Sequence, residues 1–206
     1  MPRAGLNAAA IIDAASILAD EIGFDSLTLA VLSQRLNIKP PSLYKHLDGL
    51  SSIRRGIALR GLREMNTQLM QAIIGVDNAD AILAIAQAYW QFSRQHPGVY
   101  QAIVCVPHDA DADIAAATDV QVGLVGAVLG GRQLQGDRLQ HSIRAFRSLL
   151  QGFAMFDASG AFGDSLSRED TLMEAVRVLT GLDAAPVDTQ PARSSLRIGR
   201  FRFGLR

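Results

Sequence analysis

Apolar residues recur along this chain in steps of three and four rather than two, and that spacing limits it to an all-helical fold. In the first segment Ile11, Ala15, Leu18 and Ile22 draw one stripe behind Asn7, a residue suited to capping a helix, and Gly23 ends it. Thr28 can cap a short helix with Leu29, Leu32 and Leu36 on one face. Asn37 then stands where a positive φ is needed, and it is the non-glycine residue that best tolerates one. Pro40 and Pro41 open another short helix, since a first-turn proline forfeits no intrahelical bond, and Leu43 and Leu47 anchor that helix inward.

A long helix is expected from Leu50 to Ile74, closed by Gly75, and the next ends at His96-Pro97-Gly98. A shorter one from Val99 stops before Pro107. Another runs from Ala110 to about Leu129, with Asp109, Asp111 and Asp113 near the positive end of its dipole. Leu139, Ile143, Phe146, Leu150 and Phe153 form an almost heptad seam, beside which Gly152 lets a second helix approach. Ser167 and Asp170 form a capping box for Leu172, Val176 and Leu179, and Gly181 ends that last segment. The reading is about nine helices in three parts: 1–48, 49–183, and a basic tail, 184–206, expected to be loosely ordered.

Formal net charge is zero, so any nucleic-acid footprint must be local. One segment qualifies. From Arg35 to Arg63 seven cations (Arg35, Lys39, Lys45, Arg54, Arg55, Arg60, Arg63) meet a single acid, Asp48. The two short helices and the tight turn between them lie within that basic run, and that pair is the helix-turn-helix unit, whose second helix enters the major groove. The exposed set on the second helix supplies donors for phosphates and base edges.

The run Leu27 to Ile38 followed by Pro41-Ser42-Leu43-Tyr44-Lys45-His46-Leu47, with Gly23-Phe24 before it, resembles the N-terminal domain of the TetR family. Trp90 with His96-Pro97-Gly98-Val99-Tyr100 is similar to the subgroup named for Trp, His and Gly. The resemblance implies a homodimer binding a near-palindromic double-stranded DNA operator, with three N-terminal helices for DNA and a helical C-terminal domain for dimerisation and an effector. Carried over by position, Thr28, Tyr44 and His46 hold phosphates, Lys39, Pro40, Ser42 and Lys45 sit in or beside the groove, and Leu43 completes the DNA-binding segment. Leu50 stands where many members carry a phosphate-gripping lysine, for which Arg54 or Arg55 can substitute.

Trp90, Phe92, Tyr100, Ile103, Leu124, Phe146 and Met155 are expected to line a pocket for a lipophilic effector. Ile143, Phe146, Leu150, Phe153, Leu172, Val176 and Leu179 are expected to form the dimer seam. No signal peptide is evident and Ile114 to Leu129 is too short and interrupted to span a bilayer, so the chain is read as cytoplasmic, without membrane association. Asp109, Asp111 and Asp113 mimic the start of a calcium loop, but Ile114 replaces its glycine, and neither a metal nor a cofactor is expected. Cys105, the sole cysteine, is read as a small buried hydrophobe in a reducing compartment. The rival readings are a small hydrolase using Cys105 and His108, and a helical protein-interaction domain that binds no DNA.

Overall fold

A computed structural model describes residues 6–107, 111–131, 134–163 and 165–182. Among these residues the fold is eight α-helices and one 3₁₀ helix, with no strand. In order they are α1 (Ala8–Ile22), α2 (Leu29–Arg35), the 3₁₀ helix (Pro40–Lys45), α3 (Leu50–Ala72), α4 (Asn78–Gln95), α5 (Pro97–Cys105), α6 (Ala112–Gly130), α7 (Gly136–Ala158) and α8 (Arg168–Thr180). The tail 184–206, His108 and Asp109 lie outside the described residues.

The caps read from the sequence form as side-chain hydrogen bonds. Asn7 Oδ1 accepts from Ala10 N at 2.9 Å, Thr28 Oγ1 from Val31 N at 3.2 Å, and Ser167 Oγ from Asp170 N at 3.2 Å. Asn37 has φ +53°, which lets α2 end and the chain reverse within three residues.

The element after that turn departs from expectation. Instead of an α-helix from Pro40 to Leu47 it is a six-residue 3₁₀ helix. Pro40 and Pro41 supply no N–H, and the remaining donors close tighter rings, Ser42 N to Lys39 O at 2.9 Å and His46 N to Leu43 O at 3.0 Å. Leu43, 1% exposed, pins this short element to the core.

Helix α3 is the spine, packing on α1, α4, α5 and α6, and the buried side chains form one continuous cluster. Gly98 marks the tightest approach of any described glycine. A Cβ there would lie 2.0 Å from Ala19 O and 2.2 Å from Ala19 C, so the α5 backbone rests directly on the last turn of α1. Helix α6 is, against the sequence reading, long and apolar enough to cross a membrane. Its inner face, Ile114, Ala117, Val125, Val128 and Leu129, is packed on α3, α4 and α7.

The expected dimer seam is corrected here. Phe146, Leu172 and Val176 are fully buried within the chain's own core, and Ile143, Leu150 and Phe153 are also buried, so none has surface left for a partner. The heptad-like spacing is the packing of α7 and α8 on α4 and α6. Of the seven residues named, Leu179 alone is exposed.

Candidate nucleic-acid interface

The interface is built on α2, the Asn37 turn and the 3₁₀ helix. Leu27, Leu32 and Leu43 are buried beneath it, which fixes the two short elements against each other and against α1. Leu43 therefore positions the reader and leaves no surface for DNA, correcting its place among the DNA-facing residues. Around it Lys39, Pro40, Tyr44, Lys45 and His46 are exposed and Ser42 half-buried. Tyr44 is 60% exposed and its hydroxyl makes no hydrogen bond among the described residues, so the phenol is available as a donor. Thr28 is exposed at the α2 N-terminus. Its oxygen accepts the capping bond while its O–H remains free to donate, so capping and phosphate contact are compatible.

The basic segment is smaller in space than in sequence. Arg35 makes a bidentate pair with Glu21, both bonds 2.7 Å, and this pairing lowers the Glu21 pKa. Arg60 Nε lies 2.8 Å from Asp13 Oδ1. Arg55 is clamped by Asp111, the N-cap of α6, and by Asp113 at 2.6 Å. Arg55 thus cannot serve as the replacement for a lysine at position 50. Arg54 is not committed to an acid: its guanidinium lies over the Phe24 ring, 5.0 Å from the centroid, and its buried Nε has no hydrogen-bond partner among the described residues. Lys39, Lys45 and Arg54 form no ion pair among the described residues and are the cations left beside the reader.

Sequence reasoning missed the joint that ties this head to the rest. Asp20, in the last turn of α1, accepts from Gly98 N at 2.8 Å and Val99 N at 2.9 Å, and lies 3.0 Å from His96 Nδ1. One carboxylate thereby satisfies the first N–H groups of α5, where the helix dipole favours negative charge. A signal existed. Asp20 and Glu21 put two acids at the dipole-unfavourable end of α1, and each is balanced by a partner elsewhere, α5 and Arg35 respectively. Asp157 near the end of α7 repeats the pattern, accepting from Trp90 Nε1 at 2.7 Å and from Arg168 at 2.8 Å.

The residues expected around an effector are dispersed. Phe92 and Phe146 are fully buried in the core, Trp90 is held by Asp157, Ile103 is buried and Leu124 is partly buried. Tyr100 and Met155 do share a cleft of about 480 Å³ between α1, α5 and α7, which also reaches Asp20, Gly98 and Val104. Cys105 lines the same cleft and is exposed, not the buried hydrophobe expected.

A compact trihelical head with buried leucines below and an exposed Lys/Tyr/His surface above defines a helix-turn-helix DNA-binding protein. Comparison with known proteins is specific. Residues 82–179 match the family model described as the tetracyclin repressor-like C-terminal domain. The chain is 36% identical over 176 residues to YobS, an HTH-type transcriptional regulator of Bacillus subtilis, covering 85% of this chain and 89% of that one. It is 34% identical over 162 residues to Rv0681 of Mycobacterium tuberculosis, described in the same terms, covering 78% and 74%. The solved structure of PfmR, a TetR family regulator from Thermus thermophilus, superposes with a TM-score of 0.63 at 17% identity over 83% of this chain and 97% of that one. The chain belongs to the TetR family of helix-turn-helix transcriptional regulators.

Proposed function

We propose that the chain is a ligand-responsive repressor of the subgroup named for Trp, His and Gly, and that it grips a near-palindromic operator as a homodimer. The Asp20 joint is the observation that carries this reading. It makes α5 a handle on α1: whatever moves the α5 N-terminus moves the head and its reader. The subgroup residues gain a purpose from it. His96 and Gly98 build the joint, and Trp90 ties α4 to the end of α7 through Asp157. A lipophilic effector in the 480 Å³ cleft would touch Asp20, Gly98 and Tyr100 at once, and it shifts operator affinity only if it favours one setting of the joint. The Arg55 clamp to the α6 N-cap gives α3 a second attachment of the same kind.

The dimer in this reading uses the outer faces of α7 and α8, where Phe156 is 57% and Val178 74% exposed and where the side of Gly152 is open. Light scattering at micromolar concentration tests it. Wild-type chain is expected at twice 22.1 kDa, and a variant carrying Phe156→Lys and Val178→Lys is expected to be monomeric with weakened operator binding. A monomeric wild type that binds the operator at full strength contradicts the proposal.

A further inference from the structure

Helices α4, α6 and α7 border an open-sided hollow of about 200 Å³ whose chemistry differs from that of the cleft at the joint. Its walls are Tyr89, Gln121, Arg144, Arg147, Ser148 and Gln151. Every one of these side chains offers a hydrogen-bond donor, and none is an acid. Arg144 and Arg147 lie one turn apart on α7, and among the described residues neither has a carboxylate within ion-pair distance. Two guanidinium groups without counter-charge in one concave site are unfavourable to each other and favourable to an anion.

Arg144, Ser148 and Gln151 stand exposed at the rim and Arg147 is half-buried, but the floor beneath them is buried and polar. Gln121 is 6% exposed, and its amide Nε2 donates to no oxygen but to Met65 Sδ, a weak acceptor, at 3.2 Å. Tyr89 and Tyr100 share a hydrogen bond at 3.1 Å with their rings edge to face. Burial raises both phenol pKa values, so both hydroxyls stay protonated, and with Tyr100 donating within the pair the Tyr89 O–H is left to donate into the hollow. A volume of about 200 Å³, open on one side, admits a ring or short branched chain with its carboxylate turned toward the arginines.

We propose that this hollow is a binding site for a small organic carboxylate, held by Arg144 and Arg147 and by the Ser148, Gln151 and Tyr89 donors. The site is separate from the apolar cleft, the Tyr89–Tyr100 pair being shared between them, Tyr89 in one wall and Tyr100 in the other. Its buried wall also touches the two helices that govern the head: Gln121 touches Met65 on α3, and Tyr89 touches Tyr100 on α5. An effect on operator affinity rests on the regulator reading above. Binding itself does not.

Calorimetric titration of the full chain with benzoate and with benzamide, its neutral near-isostere, tests the site. Benzoate is expected to bind saturably and at least about tenfold more tightly than benzamide, because a charge-assisted pair is lost with the amide. Arg147→Gln and Arg144→Gln are each expected to weaken benzoate about ten- to hundredfold, and Arg147→Lys to recover part of that loss as a point charge. Arg138→Gln, elsewhere on α7, should leave it unchanged, and circular dichroism checks that each variant folds. Equal affinity for the two probes, equal effects of Arg138→Gln and Arg147→Gln, or no saturable benzoate binding up to about 10 mM overturns the site. Arginine-dependent benzoate binding that leaves operator affinity unchanged keeps the site and counts against its coupling to the head.

Discussion

Gly98→Ala is the sharpest perturbation of the joint between head and body. The added Cβ would sit 2.0 Å from Ala19 O and 2.7 Å from Asp20 N, against an ordinary carbon–oxygen approach of about 3.3 Å. Both obstacles are backbone, so relief requires α5 and α1 to part by more than about 1 Å. That displacement stretches the bonds from Gly98 N and Val99 N to Asp20, now 2.8 and 2.9 Å. Overpacking costs about 1–3 kcal/mol and each weakened charge-assisted bond adds up to a similar amount, giving about 3–5 kcal/mol. In a chain of this size the midpoint of thermal unfolding should fall by roughly 10 °C. Gly123→Ala is the control, since its Cβ meets nothing within 4 Å in the middle of α6, and it should gain up to about 1 kcal/mol from helix propensity. Thermal and urea unfolding, read beside operator affinity by fluorescence anisotropy, decide the matter. If Gly98→Ala matched Gly123→Ala in stability and kept full operator affinity, the close approach and the joint built on it would be wrong.

Four other outcomes follow from the same geometry. Leu43→Ala should cost about 2–5 kcal/mol in urea unfolding and abolish DNA binding with it, whereas Tyr44→Phe should leave stability unchanged and weaken all DNA sequences alike. With Lys39, Lys45 and Arg54 as the unpaired cations beside the reader in each of two heads, and Arg63, also unpaired among the described residues, farther along α3, the logarithmic salt slope of operator binding should be roughly −5, not the roughly −13 that all seven cations per head would give. Arg55 holds the Asp111 carboxyl below its ordinary range, so the clamp's contribution is complete above about pH 4 and is lost as pH falls through the lowered value. Asp111→Asn keeps the cap and removes the charge, so its unfolding midpoint should lie below wild type at neutral pH and converge with it in acid.

The head was legible because each of its boundaries is a local event. Asn37 announces its own positive φ, Thr28 its own cap, and Pro40 with Pro41 a helix start, although the same two prolines tightened the reader into a 3₁₀ form that spacing alone did not separate from an α-helix. The apolar stripe of α7 was legible as a stripe but not as to what it faces. Ile143, Phe146 and Phe153 have the spacing of either a dimer seam or a chain's own core, and only the placement of α4 and α6 decides for the core. Charge misled for a related reason: the acids that neutralise Arg35 and Arg55 lie 14 and 56 residues away, and Arg60 pairs with Asp13, 47 residues before it, as well as with Glu64 one turn on, just past the basic run. Asp20 belongs to the same class of long-range partner, and its one local trace is a charge of the wrong sign at the end of α1.

The most direct test of the central claim is selection of bound duplexes from a random DNA pool by the purified 206-residue chain, followed by footprinting of the enriched sequence. Enrichment of a near-palindrome whose half-sites are about 10 base pairs apart or a multiple of it, lost in Tyr44→Phe and Lys45→Ala in proportion to their affinity, is the expected result. No enrichment at low salt, or an enriched sequence whose protection is indifferent to every exposed residue from Lys39 to His46, would contradict it.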